Sequence, residues 1–173
     1  MSRLIGKTLV SLIRGAFVAL LFTVLTACAG GLVFHKFSFD AASESPNVQV
    51  LDYRYGNSQQ PSARASDYDK SSGTVRQGVS INGDMLRGDS LNVRWRVKNT
   101  GVVYEDVVDL KAVLPSDIKY NKIHFTIKST QLFVYLVTRD FRSPDIEPIG
   151  PREYNYLKVI LLSSNFGREV TNP

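Results

Sequence analysis

Between Leu91 and Lys98 the chain alternates apolar and polar residues without a break: Leu-Asn-Val-Arg-Trp-Arg-Val-Lys. Extended backbone sends successive side chains to opposite faces, so a period of two marks a strand with one buried face and one wet face. Trp95 falls on the apolar face with Leu91, Val93 and Val97, and is expected in the core. Asn99-Thr100-Gly101 supplies turn chemistry. Val102 to Leu110 then returns with Val102, Tyr104, Val108 and Leu110 on one face, so the pair reads as an antiparallel hairpin.

Other segments repeat the pattern. Ile123, Phe125 and Ile127 alternate with His124, Thr126 and Lys128. After the turn Lys128-Ser129-Thr130-Gln131, Leu132 to Val137 is apolar at every position, as in a central strand covered on both faces. A second hairpin over Lys122 to Arg139 follows. Val48 to Tyr55, the weaker Val79 to Met85, and Tyr154 to Leu162 complete the expected strands. Leu114-Pro115-Ser116-Asp117-Ile118 interrupts the pattern as one short helical turn. Asn57 to Gly73 is too polar to pack and reads as a mobile loop. Arg139 to Arg152 is a loop punctuated by Pro144, Pro148, Gly150 and Pro151. No long amphipathic helical period occurs after residue 28. The expected fold is mainly β, a small antiparallel β-sandwich or barrel-like domain over 48–163, followed by a flexible tail at 164–173.

The amino-terminal part has another character. Arg3, Lys7 and Arg14 precede Gly15 to Ala27, which carries no charge, and no acidic residue lies before Asp40. A basic region followed by an apolar run of this length has the form of an export signal. Leu25-Thr26-Ala27-Cys28 closes the run with small residues before the only cysteine, and this tetrad resembles the lipobox of bacterial lipoproteins. The resemblance implies a signal peptide at 1–27, diacylglycerol on the Cys28 sulfur, cleavage before Cys28, and acylation of the new amino terminus by a chain such as palmitate. Residues 28–47 then read as a lipidated tether, in which Phe37 and Phe39 form either a first edge strand or a patch against the bilayer. The other reading is an uncleaved anchor, since about twenty uncharged residues can just span a membrane; Gly30 and Gly31 make a poor helix interior. Residue 29 is Ala, where Asp would favour inner-membrane retention by resemblance to enterobacterial sorting. The expected location is therefore the outer membrane, facing the periplasm.

Charge and chemistry exclude several classes. The chain holds 21 basic and 16 acidic residues. The first 27 residues contain three of the basic ones and none of the acidic ones, so the remainder is close to neutral and offers little to nucleic acid. One cysteine permits neither an intramolecular disulfide nor a cysteine-rich metal site. His35 lies in the expected tether and His124 on the less buried face of a strand, as a surface residue. No Gly-x-Ser-x-Gly elbow, phosphate loop or metal-ligand spacing occurs. Glu105 and Asp109 beside Arg94, Arg96 and Lys98 read as cross-strand charge pairs. The expectation is a protein without catalytic residues, metal or cofactor.

From about Val48 to Leu162 the chain resembles a group of small proteobacterial lipoproteins encoded beside type VI secretion phospholipase effectors. The resemblance rests on Val50-Leu51-Asp52-Tyr53-Arg54-Tyr55-Gly56, Val93-Arg94-Trp95-Arg96, Asp109-Leu110-Lys111, Leu114-Pro115-Ser116-Asp117-Ile118 and Gln131-Leu132-Phe133-Val134-Tyr135-Leu136. It implies an immunity protein, anchored to the lipid bilayer through Cys28, that binds a phospholipase effector and spares the producing cell. Such an inhibitor needs a scaffold and a protruding loop. Arg139, Phe141 and Arg142 are the expected partner-binding residues, because Arg and aromatic side chains concentrate at hot spots and nearby prolines lower the entropy cost of ordering. A structural or accessory lipoprotein of the envelope is the alternative.

Overall fold

The computed structural model describes residues 31–57 and 59–171. The expected signal peptide at 1–27 and Cys28, the expected lipidation site, lie outside them. Among these described residues, nine strands form two sheets. The five-stranded sheet runs β3 (Gly78–Leu86), β1 (Leu32–Asp40), β6 (Lys122–Lys128), β7 (Gln131–Phe141), β8 (Leu157–Phe166). The four-stranded sheet runs β2 (Val48–Tyr55), β4 (Ser90–Val97), β5 (Val103–Asp109), β9 (Arg168–Glu169). All pairings are antiparallel except β1 with β6. The fold is a small β-sandwich, and both expected hairpins, β4–β5 and β6–β7, are present.

The alternating strand behaves as its pattern requires. Leu91, Val93, Trp95 and Val97 are buried, whereas Arg96 is exposed. Trp95 is fully enclosed, stacks on Tyr104 and donates its indole N–H to the Ser129 carbonyl at 2.9 Å. Gly167 passes so close that a Cβ there would lie 2.4 Å from the indole ring. The core between the sheets is aromatic: Phe37 stacks on Tyr55 at 4.8 Å, and Phe39 on Phe125 at 4.5 Å.

Several expectations need correction. The 28–47 tether is not a tether over most of its length. Leu32–Asp40 is a nine-residue strand inside the sheet, between β3 and β6, with Phe37 and Phe39 in the core. The strand is therefore not an edge, and Phe37 and Phe39 form no patch against the bilayer. It is followed by a one-turn helix, α1 (Ala41–Glu44), capped by the Asp40 carboxylate. The 164–173 tail is strand as far as Phe166 and again at Arg168–Glu169, where it closes the second sheet against β5. The polar 57–73 stretch holds α2 (Asp67–Ser72), with Ser66 as N-cap and Gly73 at the left-handed C-terminal position. Ala63 and Ala65 are buried there against Tyr53 and Tyr55 backbone, which explains how so polar a segment docks. The short helical turn is α3 (Leu110–Val113), just before the predicted Leu114–Ile118.

Candidate functional site

Three regions concentrate chemistry or exposed apolar surface. The first lies at β8 and the loop before it. β8 ends the sheet order, so one side of its backbone carries no strand partner among the described residues. Its sequence Leu-Lys-Val-Ile-Leu-Leu-Ser-Ser-Asn-Phe holds a single charge. Ile160, Leu161 and Phe166 are exposed along it, as are Phe141 at the end of β7 and Ile146, Ile149 and Tyr156 in the preceding loop. Soluble proteins usually guard an edge strand with charges, proline or a bulge that twists it away. Here the bulges lie in the β7–β8 pairing, and the outer edge remains apolar.

The expected partner-binding residues take three different places near this edge. Phe141 is 80% exposed at the end of β7. Arg139 is exposed, and its guanidinium lies 5.1 Å from the centre of the Tyr120 ring. Arg142 holds the loop together: its Nε donates to the Asn155 carbonyl at 2.8 Å, Nη1 to the Ser143 carbonyl at 3.1 Å, and its backbone N–H to Tyr156. Of the three, Phe141 offers the freest side chain.

The second region was missed by sequence reasoning. His124 does point away from the core-facing Ile123 and Phe125, yet it is only 1% exposed. The outer face of this sheet is roofed by α1 and by the returning loop, whose 3₁₀ turn Arg152–Tyr154 sets the Tyr154 ring edge-on to the imidazole at 5.3 Å. His124 Nε2 lies 2.8 Å from Glu44 Oε2, and Nδ1 lies 2.7 Å from Ser38 Oγ. A carboxylate can only accept, so Nε2–H donates to Glu44 and Nδ1 is left to accept the Ser38 hydroxyl proton. Lys122 donates to the Tyr154 hydroxyl at 2.7 Å. Burial pushes the Lys122 ammonium below its usual range, with Glu153 and Glu44 opposing. Burial, and then Glu153, pushes the Tyr154 phenol up. The group borders a cleft of about 430 Å³.

The serine–histidine–carboxylate order has the connectivity of a nucleophile relay. Ser38, however, sits mid-strand, paired with Ser80 on one side and His124 on the other, and is itself buried. A relay nucleophile is presented on a sharp, exposed turn; Ser38 is not. Glu44, His124 and Glu153 also bring one donor atom each within 4.8 Å of one another, a set of one imidazole and two carboxylates that could hold a divalent cation. Lys122 already supplies a positive charge beside both carboxylates. What the cluster visibly does is join α1, β1, β6 and the 3₁₀ turn.

The third region is a polar cleft of about 890 Å³ on the outer face of the four-stranded sheet, beneath α2. Strand register lines up Asp52, Arg94, Glu105 and Arg168 in one row across β2, β4, β5 and β9. Arg168 and Glu105 form an ion pair. The basic stripe expected on β4 is thus interleaved with acids; Arg96 is bonded to Gln49 and Lys98 to the Pro46 carbonyl.

Known proteins offer no guide here. No family model, curated protein or solved structure matches this chain. Of the three regions, the first sets exposed apolar side chains beside a strand edge that has no strand partner among the described residues.

Proposed function

We propose that this chain is a membrane-tethered immunity lipoprotein. In this reading Cys28 carries the lipid in the outer membrane, and the sandwich faces the periplasm and neutralises a type VI secretion phospholipase effector by binding it. The observation that carries the binding part is the unpaired, apolar edge of β8, continued by Phe141, Ile146 and Tyr156. An extended segment of a partner can add to such an edge, gaining main-chain hydrogen bonds while alternate side chains meet the exposed apolar residues. Inhibition of this kind uses no catalytic group of its own, which suits a serine–histidine–carboxylate array whose serine is buried mid-strand. The resemblance to effector-linked lipoproteins supplies the class of partner.

Tethering contributes through concentration. A phospholipase works at the bilayer, and an inhibitor confined to the same surface meets it at raised effective concentration without any new contact. The test is a pair of measurements with any phospholipase encoded beside the gene. The soluble domain from residue 31 onward should form a stable complex with it and inhibit it stoichiometrically. Full-length Cys28→Ala should lose palmitate labelling and protect cells poorly. A domain that neither binds nor inhibits that enzyme would remove the immunity reading.

A further inference from the structure

We infer that the end of the sandwich carrying Leu32, Leu86 and Tyr120 lies directly on the bilayer that holds the lipid of Cys28, so that the domain has one fixed membrane-facing end. The inference rests on the tethering reading and is independent of what the protein binds.

The strand boundaries supply the first argument. β1 begins at Leu32, so only Ala29, Gly30 and Gly31 separate it from Cys28. A fully extended chain covers at most about 3.3–3.6 Å per residue, which gives a ceiling of about 14 Å between the two Cα atoms whatever path the segment takes. Small domains are about 30 Å across. No second folded domain fits between this end and a headgroup layer in which the acyl chains are seated.

The composition of that end is the second argument. Leu32 is 66% exposed and stands in register with exposed Leu86 on β3. Beside them the Tyr120 ring packs on Phe34 at 5.5 Å, and the Tyr120 N–H donates to the Phe34 carbonyl at 2.7 Å. Tyr120 holds a φ of +65°, a left-handed conformation unusual for a tyrosine, and its ring is exposed. Lys119 Nζ and the Arg139 guanidinium each lie 5.1 Å from that ring's centre, so one aromatic ring is approached by two cations. The neighbouring Asp117 carboxylate, also exposed, accepts the Lys119 backbone N–H at 2.8 Å. Leucine side chains for the acyl boundary, a tyrosine for the headgroup level and long cationic side chains that reach phosphate are the composition of a membrane-interface contact.

A membrane surface explains why these apolar groups are exposed where the chain is most closely leashed. It also orients the molecule: the start of β6 lies at the Leu32 end, whereas Trp95, near the end of β4, bonds Ser129 in the turn after β6, so the β4–β5 turn at Thr100 lies at the opposite end. The experiment uses the lipidated full-length protein in vesicles of phosphatidylethanolamine and phosphatidylglycerol. Cys28 is the only cysteine and its thiol is consumed by lipid, so a new cysteine is the one free thiol. A polarity-sensitive fluorophore is placed on Leu86→Cys, on Tyr120→Cys or on Thr100→Cys, and quenched with lipids bearing nitroxides near the headgroup. Labels at 86 and 120 should be quenched severalfold more strongly than the label at 100. Equal quenching at all three, or none at 86, in protein whose mass includes the lipid overturns the inference. A mass without lipid instead defeats the tethering reading, and this inference falls with it.

Discussion

Trp95 and His35 show how single side chains set what the sandwich tolerates. Trp95 is enclosed on all sides, with its one polar atom satisfied by Ser129. Trp95→Ala should cost about 3–5 kcal/mol in denaturant melts, the range for a large aromatic removed from a core. Arg96→Ala, on the exposed face of the same strand, should stay within about 0.5 kcal/mol. His35 is as buried as Trp95, and its Nδ1–H must donate to the Val33 carbonyl at 2.7 Å, so Nε2 accepts the Tyr55 hydroxyl at 2.8 Å. The Tyr55 oxygen in turn accepts the Gly88 N–H, and a Cβ on Gly88 would lie 2.5 Å from the Tyr55 ring. Burial lowers the His35 pKa from its ordinary 6.5. The unfolded chain therefore takes up a proton that the folded chain refuses, so stability is intact above about pH 6.5 and falls as the pH drops from there toward the depressed value. Melts between pH 7.5 and 5 should show this loss, and His35→Gln, whatever its own cost, should flatten that part of the curve.

At the scale of elements, the loop from Arg142 to Tyr156 joins the two halves of the candidate site. It roofs the His124 cluster with Tyr154 and presents Ile146, Ile149 and Tyr156 outward. Phe141 and Arg142 therefore should fail in different ways. Phe141→Ala should weaken partner binding by about 2 kcal/mol or more if it is a hot spot, while leaving the melt unchanged. Arg142→Ala removes two bonds to loop carbonyls and should speed hydrogen exchange of 142–156 amides with a smaller effect on global stability. A double variant that binds like the parent removes this loop from the interface. Sequence patterns fixed the hairpins because each is read locally, as in the strict alternation of Leu91–Lys98. His124 was misplaced for the opposite reason. Its position on the second face of β6 was legible, but that face is covered by residues about thirty and eighty positions away, and no local period records a roof.

Across the whole molecule, the same limit hid β1. Leu32 to Asp40 mixes polar residues with its aromatics because Lys36 and Ser38 lie on its outward face, where Ser38 joins the polar cluster, while His35 lies on the core face and is satisfied by Val33 and Tyr55; the strand pairs with distant strands rather than with a hairpin neighbour. The consequence is one of timing. Ser38 and His124 touch across 86 positions of chain, and the parallel β1–β6 pairing must close that loop before it gains anything. A chain threaded amino-terminus first through an export channel would deliver β1 at the outset and β6 only after most of its length had crossed. During that interval Phe37 and Phe39 belong to a strand with no completed sheet to enter, a state that invites chaperones and proteases. Chains ended at Asn121 should therefore remain as protease-sensitive as unfolded protein, although they contain β1 to β5 entire. Resistance should appear only once the sequence extends through β6 and β7. In the tethered form proposed above, with lipid joined at Cys28 ahead of β1, assembly of the sandwich would then finish at the membrane, after β6 and β7 have crossed.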